Sequence, residues 1–310
     1  MKYSLIIPVY RNEGSIPRLL DAIGLLHDKL DHGLEVVFVV DGSPDRSYEL
    51  LSNALDTLPC AVQLLGHSRN FGSFAAIRTG LQAARGDFFS VMAADLQEPP
   101  ELVVEFFRCL RMDECDIALG TRINRRDPFL SRFASGLFWK LYRRLVVPAM
   151  PSGGVDIFGC NDGFRRELLK LGESRSSLIA LVFWLGFRRK LVPYERHTRL
   201  EGKSAWTWRK KVDYMMDSVF AFTDLPIKLL VRAGVCGIAA SVVMGVLVLI
   251  ARISGGIHVP GYAATMLIVL FFAALNLLGL GVIGIYAWRT YENSKSRPLS
   301  IVARHEQNEL

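Results

Sequence analysis

Acidic residues vanish from one long stretch of this 310-residue chain: no Asp or Glu lies between Asp224 and Glu292. From Ala233 to Trp288 the one charged side chain is Arg252. Cysteine is scarce. Cys60, Cys109, Cys115, Cys160 and Cys236 form no CxxC pair, so reduced, packed thiols of a cytosolic compartment are expected. Glycine and proline, 26 and 13, follow no repeating period, which excludes a collagen-like chain. A charged content of 22% excludes a disordered one. A secretory leader is not expected either, because the apolar stretch of MKYSLIIPVY is short and Pro8 interrupts it.

What is present is unevenly spread. The hydrophobic share of 51% and the mean hydropathy of +0.26 are only mildly high, but the excess sits at the C-terminal end. Two apolar runs, 233–251 and 262–288, flank Arg252 and the turn-like Gly255-Gly256…Pro260-Gly261. Each is long enough to cross a bilayer core, which needs about 20 apolar residues in a helix. Buried core helices are the bland alternative, disfavoured by length and missing charge. Lys228 and Arg232 precede the first run, and Arg289, Lys295, Arg297 and Arg304 follow the second. The positive-inside rule then puts both flanks, and the domain before them, in the cytoplasm. Gly279–Gly284 matches GxGxxG, yet inside an apolar run it lacks the strand and acidic residue of a dinucleotide site. Helix packing explains it better, as it does the small face of Gly237, Ser241 and Gly245.

The rest of the chain alternates strand and helix. Buried strands are expected at Ser4–Tyr10, Glu35–Val40, Ala61–Leu65, Phe88–Ala93 and Ile117–Gly120. Helices are expected at Ser15–Leu30, Tyr48–Leu55, Phe74–Ala84 and Glu101–Leu110. Continuous apolar strands in βαβα order predict an α/β domain with a parallel sheet covered on both faces. Ligands of such sheets bind at the carboxyl ends of the strands. There the sequence sets Asn12-Glu13, Asp41, Arg69-Asn70, Asp95 and Arg122. Asp41 suits either a hydrogen bond to a nucleoside or an Asx-turn cap. Asp95 and Gln97 offer hard oxygen ligands for Mg²⁺ or Mn²⁺, compatible with a capping role before Glu101.

Phe129–Val147 interleaves Phe133, Phe138, Trp139 and Tyr142 with Arg132, Lys140, Arg143 and Arg144. That pattern suits an interfacial helix on an anionic leaflet, with an ordinary packed helix as the alternative. Trp206–Lys211 offers a second aromatic–basic anchor. Such stretches also bind single-stranded nucleic acid, but no RNA-binding signature accompanies them, and no nucleic-acid partner is expected.

Four segments then stand in order: IIPVYRNE (6–13), VVDGSPD (39–45), HSRNFGSFAAIRTGL (67–81) and ADLQEPPEL (94–102). Together they resemble family 2 glycosyltransferases of the Rossmann-like GT-A fold. With the two apolar runs the chain is similar to the polyprenyl-phosphate glycosyltransferase group, which includes dolichol-phosphate mannose synthase and bacterial undecaprenyl-phosphate glucosyl and aminoarabinose transferases. The resemblance implies that Pro8, Tyr10, Glu13 and Asp41 bind the nucleotide of the donor, together with Asp95. It implies that Asp95 and Gln97 hold the divalent metal and that Arg122 lies near the reacting phosphates. Asp156 corresponds to the aspartate of a GDFRL-like segment, an orienting group or weak base, or else a turn residue. Arg199, Gly202 and Ser204 match an RxxGxS segment that approaches the acceptor phosphate, with Arg132 and Arg122 as further basic positions. Ala93, Phe158 and Ala205 depart from the pattern. Ala93 leaves one metal carboxylate instead of two.

The implied reaction is attack of a lipid phosphate on the anomeric carbon of a nucleotide sugar, with inversion. UDP-glucose is the first choice of donor, and undecaprenyl phosphate at the cytoplasmic leaflet of the inner membrane is the acceptor, for cell-envelope modification. GDP-mannose, another lipid acceptor, or a catalytically weakened membrane scaffold are the alternatives. The expected layout is a GT-A domain over 1–224 with interfacial helices near 129–147 and 205–224, a transmembrane hairpin over 225–290, and a cytoplasmic tail over 291–310. Membrane lipids and a second copy of the chain, met through the hairpin, are the expected partners.

Overall fold

The computed structural model describes residues 2–308 except 124–139, 141, 145, 152–153, 174–175, 198–207 and 255–260. The chain divides into two compact units, Met1–Tyr214 with Arg297–Leu310, and Met215–Ser296.

The first unit alternates strand and helix: β1 (Tyr3–Val9), α1 (Ile16–Lys29), β2 (Leu34–Val40), α2 (Ser47–Ala54), β3 (Ala61–His67), α3 (Ser73–Ala83), β4 (Phe88–Val91), α4 (Pro100–Arg111) and β5 (Ile117–Ile123). Each expected element is present, with ends shifted by a few residues. The unit continues with β6 (Val155–Asn161), α5 (Asp162–Lys170), α6 (Leu178–Trp184) and β7 (Arg189–Glu195), for which the sequence pattern gave no expectation. Helix α7 (Trp208–Phe222) crosses into the second unit. There α8 (Leu225–Ile253) and α9 (Tyr262–Ser294) follow, and β8 (Val302–Gln307) returns to the first.

The eight strands form one sheet in the order β7-β5-β6-β4-β1-β2-β3-β8. It is mostly parallel, as expected of a Rossmann-like GT-A domain: β6 runs antiparallel to β4 and β5, and β8 antiparallel to β3. Residues 291–310, expected as a tail, therefore include an edge strand. Asn308 secures its end, with Oδ1 accepting from the Val62 N–H at 2.8 Å and Nδ2 donating to the Cys60 carbonyl at 2.9 Å. Glu306 accepts from Tyr48 and Ser52.

The core is the sheet and the helix faces laid on it. Leu5, Ile6, Ile7, Val36, Val37, Phe38 and Val39 are fully buried, as strands covered on both faces must be. Helix α1 buries Ile16, Leu19, Ile23 and Leu26, and α4 buries Leu102, Val103, Phe106, Phe107 and Leu110. Both helices carry proline in the first turn, where no N–H is needed. Helix α3 approaches the sheet through Gly80, where an added Cβ would lie 2.4 Å from Ile6 Cγ2. Phe158, which departs from the family pattern, is a buried residue of β6 facing Leu119 across the ladder. Four of the five cysteines are buried, and all five are free thiols. Burial pushes the Cys60 and Cys115 thiols up to about 11. Tyr142 is fully buried and its ring stacks on Tyr214 at 5.7 Å, a packed position rather than an interfacial one. Residues 129–139 of that expected helix lie outside the described residues.

In the second unit α8 and α9 are 29 and 33 residues long. They contain stretches, Leu225–Leu247 and Phe271–Ser294, long and apolar enough to cross a membrane. At about 1.5 Å per residue both helices exceed a hydrocarbon core of about 30 Å. Their large apolar side chains are exposed, Ile238 at 68% and Leu277 at 71%, which water would penalise and lipid would not. An added Cβ on Gly237 would lie 3.3 Å from Phe272, so a small residue serves the helix pair there, whereas at Gly245, Gly279, Gly281 and Gly284 it would meet nothing within 4 Å, and the packing role expected of them is not seen. Arg289 donates to Asp217 Oδ1 at 2.6 Å within the same unit.

Candidate functional site

Strand order places the site. The chain moves from β1 outward to β2 and β3, then crosses back to β4 on the other side of β1. The switch point lies between β1 and β4, and such a point opens a crevice at the carboxyl edge of the sheet. Pro8 helps to open it. Pairing of β1 with β4 ends at Ile6↔Val91, whereas pairing with β2 runs on through Pro8↔Val39 to Val9↔Val40. The Val9 carbonyl accepts from Asp41 on the β2 side, and that of Ile6 accepts from Met92 on the β4 side. Alternation therefore turns the nitrogen of Pro8 to the side where β4 has ended, where proline costs no ladder bond.

Three loops at this edge are tied together by side chains. Arg11, in left-handed backbone at φ 55, donates its N–H to Ser43 Oγ at 2.8 Å. The Asn12 N–H donates to Ser47 Oγ at 3.2 Å. Glu13 donates its N–H to Asp45 Oδ2 at 3.1 Å and accepts through Oε2 from the Arg46 N–H at 3.1 Å. Asp45 is held below the usual carboxylate range. Burial acts against this, but the Ser43 and Ser47 hydroxyls and the N–H groups of Glu13 and Ser47 outweigh it. Tyr10 stands exposed at the rim with the Arg11 guanidinium 5.4 Å from its ring centre.

Asp41 is buried beneath this rim at 2% exposure. Its Oδ1 accepts from the Phe71 N–H at 2.8 Å and lies 2.8 Å from His67 Nδ1, and its Oδ2 accepts from the Gly72 N–H at 2.8 Å. These bonds join the carboxylate to a loop distant in sequence and are not those of the local Asx turn that the sequence left open. Gly42 completes the seal: at φ +56, an added Cβ would lie 2.3 Å from the Arg69 carbonyl carbon. No L side chain fits there.

Asp95 and Gln97 follow β4, with Leu96 between them in left-handed backbone at φ 52. This turn sets the Gln97 N–H 3.3 Å from Asp95 Oδ1. The Asp95 carboxylate is a hard oxygen donor of the kind Mg²⁺ and Mn²⁺ accept, and these ions commonly take one or two protein groups beside substrate phosphates. The residues present therefore fit such an ion. The amide oxygen of Gln97 accepts from Arg196. The Gln97 carbonyl accepts from the His197 N–H at 2.9 Å, and Arg196 Nε lies 3.9 Å from buried Glu98. Sequence reasoning passed over Arg196. Its signal was a basic residue directly after an alternating strand, on the same edge as Asp95.

Arg122 occupies the carboxyl end of β5, paired in register with Tyr194. Because β6 is antiparallel, it begins at this edge, with Val155 opposite Thr121. Asp156 thus enters the same edge through its backbone, while its side chain lies outside the description. Arg132, Arg199, Gly202 and Ser204 also lie outside the described residues. The edge therefore gathers Tyr10, Glu13, Asp41, Asp95, Gln97, Arg122 and Arg196.

The chain matches Glycosyl transferase family 2 over residues 4–172. Among curated relatives, the undecaprenyl-phosphate 4-deoxy-4-formamido-L-arabinose transferase of Pseudomonas paraeruginosa is 32% identical, covering 97% of this chain and 89% of that protein. The bactoprenol glucosyl transferase of Shigella phage SfV is 28% identical over 99% of this chain and 100% of that protein. Among solved structures, a mannosyltransferase from Pyrobaculum calidifontis in complex with GDP-Man and Mn2+ shares the fold at a TM-score of 0.50 and 16% identity. It covers 95% of this chain and 86% of that one. The chain thus has the GT-A fold, belongs to glycosyl transferase family 2 and is a glycosyltransferase.

Proposed function

We propose that the protein transfers a sugar from a nucleotide sugar, UDP-glucose first among donors, to undecaprenyl phosphate at the cytoplasmic leaflet of the inner membrane, with inversion at the anomeric carbon. One observation carries the reading. Relatives named for bactoprenol and undecaprenyl-phosphate transfer match this chain along nearly its whole length, through the two apolar helices as well as the catalytic domain. A catalytic edge on the same chain as two lipid-compatible helices suits one water-soluble and one lipid substrate.

The chemistry asks little of a base. A phosphate monoester is already anionic at neutral pH, with its second pKa near 6, so the acceptor arrives as a nucleophile. The protein must bring two anions together. Tyr10 and Glu13 line the nucleoside end, and Asp41 holds its loops in place. Asp95 would hold the divalent ion, with the amide oxygen of Gln97 as a second hard donor. When bound, that ion supplies charge neutralisation for the departing diphosphate. Arg122, with Arg132, Arg199 and Ser204, offsets phosphate repulsion and orients the acceptor. Asp156 orients the acceptor or takes up a residual proton.

The test incubates membranes containing the protein with labelled UDP-glucose, other UDP-sugars or GDP-mannose, undecaprenyl phosphate, and Mg²⁺ or Mn²⁺. Lipid-linked label from a UDP-sugar is expected, falling by at least about 100-fold in Asp95→Ala, as for loss of a main electrostatic element. No label from any donor sinks the proposal. Unchanged transfer in Asp95→Ala removes the metal assignment.

A further inference from the structure

A line of polar side chains, buried at Asp41, His67 and Thr79 and half-buried at Ser300, runs from the nucleoside end of the site to the segment that follows the second apolar helix. Asp41 Oδ1 lies 2.8 Å from His67 Nδ1, and His67 Nε2 lies 2.9 Å from Thr79 Oγ1. Thr79 Oγ1 lies 2.7 Å from Ser300 Oγ. The side chains of His67 and Asp41 are 0% and 3% exposed. Next to this line the Ser68 N–H donates to the Ile301 carbonyl at 3.0 Å, where the β3–β8 ladder shifts register between Gly66 and His67.

The partners set the sense of the bonds. An ionised carboxylate only accepts, so Nδ1 of His67 carries the proton that faces Asp41. In the neutral ring Nε2 then accepts from the Thr79 hydroxyl, whose oxygen accepts from Ser300. His67, Thr79 and Ser300 then donate in one direction, toward Asp41, and such a chain strengthens each of its members. Carboxylate, imidazole and hydroxyl stand here in the order of a hydrolytic triad. Burial denies that use, because no substrate reaches Thr79 at 8% exposure. What the line does reach is the loop. Asp41 spends its carboxylate on the N–H groups of Phe71 and Gly72, and Gly72 is the residue from which α3 starts.

We propose that Ser300 is a positioning residue for the donor site, acting through Thr79, His67 and Asp41 on the 67–72 loop at the nucleoside end. The inference rests on the nucleotide-sugar reading above and deepens it. On this reading the chain that has passed through both apolar helices comes back to complete the donor site. Removing the Ser300 hydroxyl takes away the donor that polarises Thr79 and leaves Asp41 a weaker hold on Phe71 and Gly72.

The test uses the full-length protein in lipid nanodiscs. Loss of one net hydrogen bond, worth about 0.5–1.5 kcal/mol, corresponds to roughly a 3- to 10-fold change. Ser300→Ala is expected to raise the nucleotide-sugar Kd and KM by that factor. It leaves kcat and the lipid-phosphate KM within about twofold and speeds amide hydrogen exchange at Phe71 and Gly72 in the protein without nucleotide. Ser300→Thr restores all of these. Thr79→Val gives the same pattern, and adding Ser300→Ala to it changes nothing further. Glu306→Gln alters the hold of β8 on Tyr48 and Ser52 but not the line, and leaves donor affinity within about twofold. A wild-type protein that binds no nucleotide sugar overturns the functional reading and this inference with it. Normal wild-type binding, with Ser300→Ala matching it in donor affinity and exchange, overturns the inference alone. An equal loss in Glu306→Gln assigns the effect to strand anchoring and overturns it too.

Discussion

Asp45 shows how much of the site depends on single side chains. Through Ser43, Ser47 and the Glu13 N–H it joins the loops after β1 and β2, and its folded-state pKa is depressed from 3.8. A carboxylate of this kind stabilises the fold at pH values above its unfolded pKa, and that stability is lost as pH falls through the lower folded value. Asp45→Asn is therefore expected to lower Tm at pH 7 by a few degrees, with the gap to wild type closing below about pH 4. Thermal melts across pH 3–7 check this; a gap that persists unchanged at pH 3 contradicts the assignment. The motif residues were legible because DGS, NFG and DLQ place turn-forming and oxygen-bearing groups directly after apolar strands. Their mutual contacts were not. Thr79 meets Ser300 across 221 positions and Gln97 meets Arg196 across 99, and one sequence carries no signal over such separations. Phe158 in place of a family arginine reads from sequence as a damaged site, whereas in the fold it fills the core of β6 beside Leu119.

The elements differ in how far hydropathy announces them. LIIPV and VVFVV are continuous apolar runs, and VQLLG is one but for Gln63, because the central strands are covered on both faces. RKLVPYE of β7 buries only Val192 and Tyr194, a short alternation at the sheet edge. VARHEQ of β8 is almost wholly exposed; pairing with β3 makes it a strand, and composition does not. Its removal is the sharpest test of that view. Ending the chain after Pro298 strips β3 of its neighbour and removes the bonds of Glu306 to Ser52, Gln307 to Arg85 and Asn308 to Val62, each worth about 1 kcal/mol net. The expected result is a Tm lower by roughly 5–10 °C and aggregation through the bared edge. Calorimetry and light scattering measure both, and an unchanged Tm shows that β8 contributes nothing to the sheet.

For the whole molecule the missing acidic residues carry the most weight. A mildly high mean hydropathy averages a mixed α/β domain with a two-helix unit whose surface suits lipid. The protein is expected to stay with membranes through an alkaline carbonate wash and to leave them in detergent. Protease is expected to digest the N-terminal domain in inverted inner-membrane vesicles and to spare it in sealed spheroplasts. Digestion from the spheroplast side would reverse the orientation. The return of β8 also sets the order in which the protein can be made. Ser52 and Glu306 are 254 positions apart, and both apolar helices are synthesised between them. During translation the catalytic domain emerges first, near the membrane, with one sheet edge unpaired. The β3 edge stays unpaired until both apolar helices have been synthesised, and Ser300 meets Thr79 only afterwards. Full pairing of the sheet thus waits on synthesis of both apolar helices, so a chain stalled before its second helix would keep an open β3 edge and lack the Ser300 hydroxyl at Thr79.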